Sequence, residues 1–332
     1  MMAGLDFLAV VSRPDFPSGA GPVGDYYGLR RLLDRHPNWR AEIVELNSRA
    51  TDVEWDAGRL RITQSEVASF VVEDVKVALY LPICLETSET QLCPAAPGQQ
   101  WPRFADEQWR PITAYFENRL TQGRCLNRPD RVRAANNKLL QFDSLRGAGF
   151  ALPATTVRTG WPTGADLGER NALVAKNVSE GGWKSADEFS PARLVGPDDR
   201  YDPWPVIWQE ALISDRELRA YVMGDEVTVV ELTRHPDVID VRATNGGRPS
   251  AHIVDAVPAE WRSTFFAMAR ALGLDYAVID AIPTGPELHV LEVNANGVWW
   301  FMPADVRNRL ETRFHAWLES EIDALAERSL EM

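Results

Sequence analysis

The sequence is poor in the residue types that many catalytic and structural sites require. Among its 332 residues there are only three cysteines and five histidines. Cys84, Cys93 and Cys125 form no CxxC pair and no zinc-like spacing. This small, odd set is typical of reduced thiols in a reducing compartment. The few histidines leave no persuasive Ser/His/Asp or Cys/His arrangement for nucleophilic catalysis.

Long apolar runs and an excess of basic charge are also missing. The net charge is -13, which disfavours duplex nucleic acid as a main partner because binding its backbone requires a positive surface. No apolar run approaches the length of a membrane span. The N-terminal stretch "LDFLAVVS" is short and has no basic region before it, so we expect a first buried strand and not a signal peptide. These features predict a cytoplasmic protein that binds neither nucleic acid nor membrane.

The order of apolar patterns predicts a small α/β domain at the N-terminus. The strand "LDFLAVVS" is followed by helical spacing in "DYYGLRRLLDRH" and by a second strand, "AEIVELN". A helix is expected from Arg103 to Leu120, and we place a domain boundary near Arg128. Pro129 and Asp130 suit the start of the next helix. Its expected apolar face consists of Leu139, Leu140, Phe142 and Leu145.

Two hairpins and two helices are predicted in the C-terminal part. "DRELRAYVMGDEVTVVEL" reads as two strands joined at Gly224-Asp225. "AEWRSTFFAMARALGL" reads as a helix stopped by glycine, and "DYAVIDAIPTGPELHVLEVNANG" as a second hairpin that turns at "TGPE". From Ala304 onward, apolar residues at helical spacing predict a terminal amphipathic helix that packs on the core.

The second hairpin carries polar side chains where a buried strand would be apolar. Glu292 and Asn294 are two residues apart, so they leave the same face of one strand. A short loop at Pro286 would place Asp280 opposite Glu292. Two carboxylates and an amide oxygen in one small volume require a cation, and such oxygen ligands suit Mg²⁺. The alternative is that Asp280 or Glu292 faces solvent at a sheet edge.

Two lysines are further candidates for contacts with phosphate. Lys176 ends the apolar strand "NALVA" beside the glycine-containing loop "NVSEGG", from which it could reach phosphate oxygens. Lys138 lies on the preceding helix and is equally ambiguous. For both, an ordinary solvated lysine is the alternative interpretation.

A linker and two arginines complete the candidate residues. The segment Glu210 to Leu212 could join two half-sites and offer backbone groups to an adenine edge. Arg219 and Arg242 lie in apolar surroundings and need anionic partners. The partners could be phosphate, a substrate carboxylate, or the structural partners Glu217 and Glu231.

The order of these segments resembles that of the ATP-grasp superfamily. The resemblance rests on "NNKLLQFDSLRGAGFALPATTV", "LVAKNVSEGG", "PVIWQEALISDRELRAYVMGDEV", "DYAVIDAI" and "LHVLEVNANG", and it covers about Trp101 to Gly297. Within the superfamily the chain looks most like the graspetide, or microviridin-type, ligases that install ester and amide cross-links in ribosomal peptides. The ribosomal-protein glutamate ligases are similar but more distant.

The resemblance implies a fold, a domain order and a set of site residues. The expected fold is α/β and α+β: an ATP-grasp fold with an N-terminal pre-ATP-grasp α/β domain (1–128), a central lobe (129–205) and a C-terminal lobe with the terminal helix (206–332). ATP and Mg²⁺ are the implied cofactors. The matching positions are Lys138, Lys176, Gln209, Glu210, Ala211, Leu212 and Glu217 for the nucleotide, Asp280, Glu292 and Asn294 for magnesium, and Arg219 and Arg242 for phosphate or the activated carboxylate.

The implied activity is that of an ADP-forming ligase. A substrate carboxylate attacks the γ-phosphate to form an acyl phosphate, and a hydroxyl or amine then displaces phosphate to give an ester or amide. The implied partner is a precursor peptide with a leader segment, and a homodimer is left open. The alternatives are a ligase that joins free amino acids or adds one to a small molecule or protein terminus, and a non-catalytic nucleotide-binding protein.

Overall fold

The structure is a computed structural model with two compact units. It describes residues 4–12, 27–46, 51–64, 68–82, 102–160, 172–178, 183–185, 188–189, 192–195, 204–212, 214–234, 249–285 and 287–330. Residues 1–133 group with residues 311–332 in the first unit, and residues 134–310 form the second.

The first unit contains seven strands and three helical segments among its described residues, besides parts of two helices shared with the second. The strands are β1 (Phe7–Ser12), β2 (Ala41–Leu46), β3 (Thr51–Asp56), β4 (Arg59–Gln64), β5 (Ala68–Val71), β6 (Val77–Leu81) and β7 (Cys125–Leu126). The helical segments are α1 (Leu29–Arg35), a 3₁₀ turn (Val72–Asp74) and α2 (Pro102–Gln122).

A parallel sheet forms the core of this unit. Its strand order is β2-β1-β6-β7, and each neighbouring pair is parallel. Strands β1 and β6 are buried almost throughout, which explains why they read as continuous apolar runs. The predicted α/β domain and its buried first strand are therefore confirmed. Strands β3, β4 and β5 form a separate antiparallel sheet.

One buried carboxylate ties this sheet to α2. The Tyr80 hydroxyl on β6 donates to Glu117 Oε1 on α2 at 2.5 Å, and Arg133 donates to the same carboxylate through Nε at 3.0 Å and Nη2 at 2.5 Å. Burial, followed by the charge of Glu117, raises the pKa of Tyr80. A buried carboxylate without such donors would be strongly destabilising. Cys125 is buried, and its Sγ donates to the carbonyl of Leu126 at 3.6 Å, whereas Cys84 and Cys93 lie outside the described residues.

The second unit consists largely of antiparallel strands. Its elements are α3 (Pro129–Asn136, which starts in the first unit), α4 (Lys138–Gly147), β8 (Thr155–Thr159), β9 (Leu173–Asn177), β10 (Trp183–Ser185), β11 (Glu188–Phe189), β12 (Arg193–Leu194), β13 (Pro205–Glu210), β14 (Arg216–Met223), β15 (Glu226–Thr233), β16 (Ala251–Ile253), α5 (Ala259–Leu272), β17 (Tyr276–Thr284), β18 (Glu287–Asn294) and α6 (Ala304–Leu330, which continues into the first unit).

Two sheets carry the candidate site. One has four strands in the order β12-β9-β13-β8, and the other has five in the order β16-β15-β14-β17-β18. Helix α5 packs on β14, β15 and β17, and α4 packs on α5 and β18. As predicted, α5 ends at a glycine: Gly273 adopts a left-handed conformation with φ of 68°. The predicted hairpin at Gly224-Asp225 is also confirmed by the β14–β15 register.

The single helix predicted after Pro129 is wrong: the chain forms two helices. Helix α3 ends at Asn136, and the side chain of Asn137 then caps α4 by accepting from the amides of Leu139 and Leu140 at 3.1 and 3.2 Å. An asparagine that bonds the backbone in this way starts a new helix instead of continuing the old one. Leu139 and Leu140 are 44% and 51% exposed, so they do not belong to the buried apolar face. Phe142 and Leu145 do.

The grouping of the terminal helix differs from the predicted domain order. Residues 311–332 belong to the first unit, whereas the sequence prediction assigned them to the C-terminal lobe. The division of the chain into three lobes stays a prediction. Within the described ranges, no helix combines the length and the apolar character needed to cross a membrane.

Candidate active site

A β-bulge aligns the three acidic and amide residues of the β17–β18 hairpin. The register starts with Thr284 opposite Glu287 and continues to Ala281 opposite Val290, where it shifts by one residue. Beyond the shift, Asp280 pairs with Glu292. Because opposed residues share a face and a one-residue slip exchanges the two faces, the extra residue brings Glu292 and Asn294 to the face of Asp280. The predicted pairing is therefore confirmed.

Hydrogen bonds connect the three side chains directly. Asn294 Nδ2 donates to Asp280 Oδ2 at 3.3 Å and to Glu292 Oε1 at 3.2 Å. Asp280 is buried and Glu292 is half-buried. Two carboxylates this close repel one another unless positive groups surround them.

Arg219 on the neighbouring strand β14 supplies one such positive group. Its Nη1 donates to both carboxylate oxygens of Asp280 at 2.8 Å, as expected from its position opposite Asp280 in the β14–β17 register. Its Nε donates to the Tyr221 hydroxyl at 3.2 Å. The guanidinium also lies 5.4 Å from the ring centroid of Phe301 and 5.8 Å from that of Tyr221, distances that permit cation–π attraction.

The charge of Glu292 acts on both candidate lysines. Lys138 Nζ, at the start of α4, is 3.7 Å from Glu292 Oε2 and donates to the carbonyl of Asn177 at 3.2 Å. Lys176 is on β9, opposite Ile207 of β13. Burial lowers the pKa of Lys176, and the charge of Lys138 acts in the same direction, while Glu292 opposes both. The structure thus brings Lys138 into contact with the acidic hairpin, and Lys176 is near enough for the charge of Glu292 to oppose the lowering of its pKa by burial.

The predicted linker begins as a strand. Gln209 and Glu210 are the last residues of β13, and the buried Gln209 donates through Nε2 to Thr155 Oγ1 at 3.0 Å. The amide of Glu210 donates to the carbonyl of Ala154, and that of Ala211 to the carbonyl of Ala172. The segment is therefore anchored to the four-stranded sheet before the chain enters β14.

Arg234 is a buried residue of this region that the sequence analysis missed. Its Nη1 donates to the carbonyl of Leu212 at 3.3 Å, and its Nε lies 3.7 Å from Glu217 Oε2. Burial, followed by the charge of Asp280, raises the pKa of Glu217 to about 7, against the influence of Arg234 and Arg219. Functional sites and structural ion-pair networks both contain carboxyl groups whose pKa is shifted in this way. No sequence pattern revealed this arginine, which directly follows β15.

Gln141 is the second residue that the sequence analysis missed. It lies on α4 and is 1% exposed. Its Nε2 donates to the carbonyls of Ala135 and Val293, each at 2.6 Å, and its Oε1 accepts from the Val293 amide at 2.9 Å. Because β18 is the last strand of its sheet, this side chain satisfies the outward peptide groups of Val293, between Glu292 and Asn294. The sequence signal that could have revealed Gln141 is a polar residue next to Phe142, on the side of the helix that the apolar residues bury.

The tryptophans that follow β18 have different environments. Trp299 is buried and contacts Tyr221 edge-on, with ring centroids 6.1 Å apart. Trp300 is half-buried, and Asn296 is buried. Trp299 therefore backs the tyrosine that holds Arg219. Arg242, the second predicted arginine, lies outside the described residues.

The donor set fits a hard divalent cation. Among the described residues, no three His, Cys, Asp or Glu side chains are grouped so that they could hold a metal ion. The two carboxylates of Asp280 and Glu292 are joined instead by the amide of Asn294. Mg²⁺ typically takes one or two carboxylates and completes its shell with water and phosphate oxygens. A cation held here would depend on those further ligands.

Known proteins were compared with the chain by sequence and by fold. No protein-family model matches it. A probable alpha-L-glutamate ligase of Mannheimia succiniciproducens is 28% identical over 217 residues, which cover 60% of this chain and 69% of that protein. The macrocyclase MdnC of Microcystis aeruginosa MRC, solved with its precursor peptide MdnA, superposes with a TM-score of 0.69 at 16% identity, over 95% of this chain and 99% of MdnC.

A second solved structure names the fold. The RiPP-associated ATP-grasp ligase of Chryseobacterium gregarium, solved with ADP and a leader and core peptide, superposes with a TM-score of 0.59 at 17% identity, over 95% of this chain and 97% of that chain. The chain has the ATP-grasp fold. The ATP-grasp architecture predicted from the ordered segments is thus confirmed, together with its N-terminal α/β domain.

Proposed function

We propose that the protein is an ATP-dependent, ADP-forming ligase that joins a carboxylate to an amine or hydroxyl. The carrying observation is the convergence of Asp280, Glu292 and Asn294 with Arg219 and Lys138 on one face of an ATP-grasp sheet. Alternating negative and positive groups in one partly buried volume suit a triphosphate with its divalent cation.

We propose an individual role for each residue, from the family resemblance and from its position. We assign Asp280, Glu292 and Asn294 to Mg²⁺, with Asn294 contributing its amide oxygen. Lys138 and Lys176 would neutralise phosphate oxygens, because Lys138 pairs with Glu292 and the charge of Glu292 also acts on Lys176.

The remaining residues are assigned to the nucleoside and the reacting groups. Gln209, Glu210, Ala211 and Leu212 would border the adenine, and Glu217 the ribose. Arg219 would contact the γ-phosphate or the carboxylate being activated, and Arg242 keeps that role as a prediction. When bound, MgATP would supply the γ-phosphoryl group that converts a substrate carboxylate into an acyl phosphate. The chain's own groups then hold the reacting oxygens in place and offset their charge, so no protein nucleophile is required.

A ribosomally made peptide is the substrate that we favour. MdnC and the Chryseobacterium gregarium ligase were both solved with peptides, and both align over nearly their whole length with this chain. The expected product is a side-chain ester or amide cross-link in a precursor peptide that carries a leader segment. We propose a cytoplasmic location, which suits both the use of ATP and a peptide made on ribosomes. A homodimer stays a prediction.

Addition of a free amino acid is the second candidate, favoured by the 28% identity with a probable alpha-L-glutamate ligase. Mass spectrometry after incubation with ATP, Mg²⁺ and a peptide rich in Thr, Ser, Lys, Asp and Glu separates the two. Loss of one water per link identifies cross-linking, and a gain in mass with an added amino acid identifies addition. If the protein binds nucleotide but neither mass change occurs when ATP is present, it is a non-catalytic nucleotide-binding protein.

Glu292→Ala tests the proposed magnesium position. We expect ATP-dependent product formation to fall by at least about a hundredfold, as is typical when a group that stabilises transferring phosphoryl charge is lost. Glu287→Ala is the matched control because Glu287 is an exposed carboxylate on the same strand. Undiminished phosphate release by Glu292→Ala would contradict the assignment.

A further inference from the structure

The chain's own groups already occupy the carboxylate oxygens assigned to the cation. Asp280 Oδ1 and Oδ2 accept from Arg219 Nη1, and Oδ2 also accepts from Asn294 Nδ2. Glu292 Oε1 accepts from Asn294 Nδ2, and its Oε2 faces Lys138 Nζ at 3.7 Å. All four carboxylate oxygens therefore have a donor or a cationic partner within the protein.

A divalent cation must replace these partners. The guanidinium of Arg219 already bonds both oxygens of the Asp280 carboxylate. A metal cation bound to the same carboxylate would strongly repel this guanidinium, because like charges at a few ångströms interact strongly in a partly buried site. Asp280 and Arg219 are both largely buried, with side chains 7% and 12% exposed, so water screens this repulsion only weakly.

Arg219 has contacts that remain when it leaves Asp280. The Tyr221 hydroxyl accepts from its Nε, and the rings of Tyr221 and Phe301 lie within 6 Å of the guanidinium. Lys138 likewise keeps the carbonyl of Asn177. Both cations can therefore turn from carboxylate to another anion without losing every partner.

We propose that Arg219 and Lys138 act as internal counter-cations that exclude a free divalent cation from Asp280 and Glu292. A cation that arrives with a polyphosphate is admitted, because the phosphate oxygens give both side chains new anionic partners. Binding of the cation and of the nucleotide is then positively coupled, and by linkage each strengthens the other. The inference rests on the proposed nucleotide use and adds an order of events: the cation enters with the polyphosphate and not before it.

Manganese binding to the full chain tests the proposal, measured by calorimetry or by electron paramagnetic resonance with and without a non-hydrolysable ATP analogue. Arg219→Gln should bind free Mn²⁺ about tenfold or more tightly than the wild type, a ratio that corresponds to about 1.4 kcal/mol. The analogue should therefore increase the Mn²⁺ affinity of Arg219→Gln by a smaller factor than it increases that of the wild type. Arg219→Lys, which keeps the charge, should retain the weak binding of free Mn²⁺.

Arg216→Gln is the matched control, since Arg216 lies on the same strand and pairs with Glu231 at 3.2 Å; its Mn²⁺ affinity should equal that of the wild type. Lys138→Gln is a second test should Arg219→Gln fail to fold, with a smaller gain in free Mn²⁺ affinity expected. Unchanged or weaker Mn²⁺ binding in folded Arg219→Gln, or in Lys138→Gln if Arg219→Gln does not fold, overturns the inference.

The inference and the proposed function fail in different ways. Suppose that the wild type binds the analogue with Mn²⁺ but Arg219→Gln gains no affinity for free Mn²⁺. This result refutes only the proposed role of Arg219 and Lys138 as internal counter-cations. A wild type that does not bind the analogue refutes the proposed nucleotide use. The proposal that the cation enters with a polyphosphate then fails as well, whatever the difference in free Mn²⁺ affinity between the wild type and Arg219→Gln.

Discussion

Replacing Gln141 by leucine should destabilise the second unit and loosen the candidate cation site. The substitution keeps a similar side-chain volume but removes the hydrogen bonds to the carbonyls of Ala135 and Val293 and from the amide of Val293. A typical net contribution is about 1 kcal/mol per hydrogen bond, and a buried group left unsatisfied costs about 1–3 kcal/mol. With three backbone groups affected, we expect a loss of about 3–4 kcal/mol in the free energy of unfolding.

Urea denaturation followed by tryptophan fluorescence measures this loss. Asp143→Ala is the control, because Asp143 is an exposed residue on the same helix and surface substitutions usually change stability by less than about 0.5 kcal/mol. Since Val293 lies between Glu292 and Asn294, the affinity for Mn²⁺ with nucleotide should fall in Gln141→Leu as well. A loss of stability below about 1 kcal/mol would refute the argument that this side chain satisfies the peptide groups of Val293.

Two further predictions concern pH and packing. Burial opposes ionisation of Asp6, but Lys76, 2.9 Å away, with help from a neighbouring arginine, lowers its pKa from 3.8 to about 2. The resulting stability is complete above the unfolded pKa and is lost as pH falls towards 2. Because solvent screens this surface ion pair, we expect the wild type to lose only about 1 kcal/mol more than Asp6→Asn between pH 5 and pH 2 in urea titrations; equal losses would contradict this. Gly297→Ala should destabilise by about 1–3 kcal/mol, because its Cβ would lie 2.5 Å from two side-chain carbons of Val278. Gly147→Ala, which meets nothing within 4 Å, is the control, and a Gly297→Ala melting temperature equal to that of the control would refute the steric argument.

Much of the local structure could be predicted because it depends on short-range patterns. The buried parallel strand β1 appears as a continuous apolar run, and the β14–β15 hairpin follows from the turn at Gly224-Asp225. The prediction failed between α3 and α4, where a cap interrupts what composition alone presents as one helix. Whether Asn137 bonds its own backbone or points to solvent depends on packing of the following residues, and Leu139 and Leu140 gave a misleading apolar signal.

The candidate site divides in the same way. The spacing of Glu292 and Asn294 on one strand was readable, since alternate residues of a strand share a face. The partners that neutralise them were not, because Arg219 and Lys138 reach them from other elements. Gln141 and Arg234 carried no motif, and only their buried hydrogen bonds to backbone groups reveal what they hold in place.

By itself, the sequence determined the order of segments, the hairpin and the identity of the acidic and amide residues on it. The sequence also predicted that Asp280 would face Glu292, but from a regular hairpin about Pro286; only the tertiary structure shows that a β-bulge produces this pairing. From the turn at Thr284 and Glu287, an unbroken ladder would pair Asp280 with Leu291 and send Glu292 to the opposite face. The bulge adds one residue and reverses that parity. The bulge is stabilised by contacts on both sides of the strand. Gln141 bonds Val293 on one side, and charged groups contact Asp280 and Glu292 on the other. These contacts join residues far apart in the chain, so no local sequence pattern reveals them.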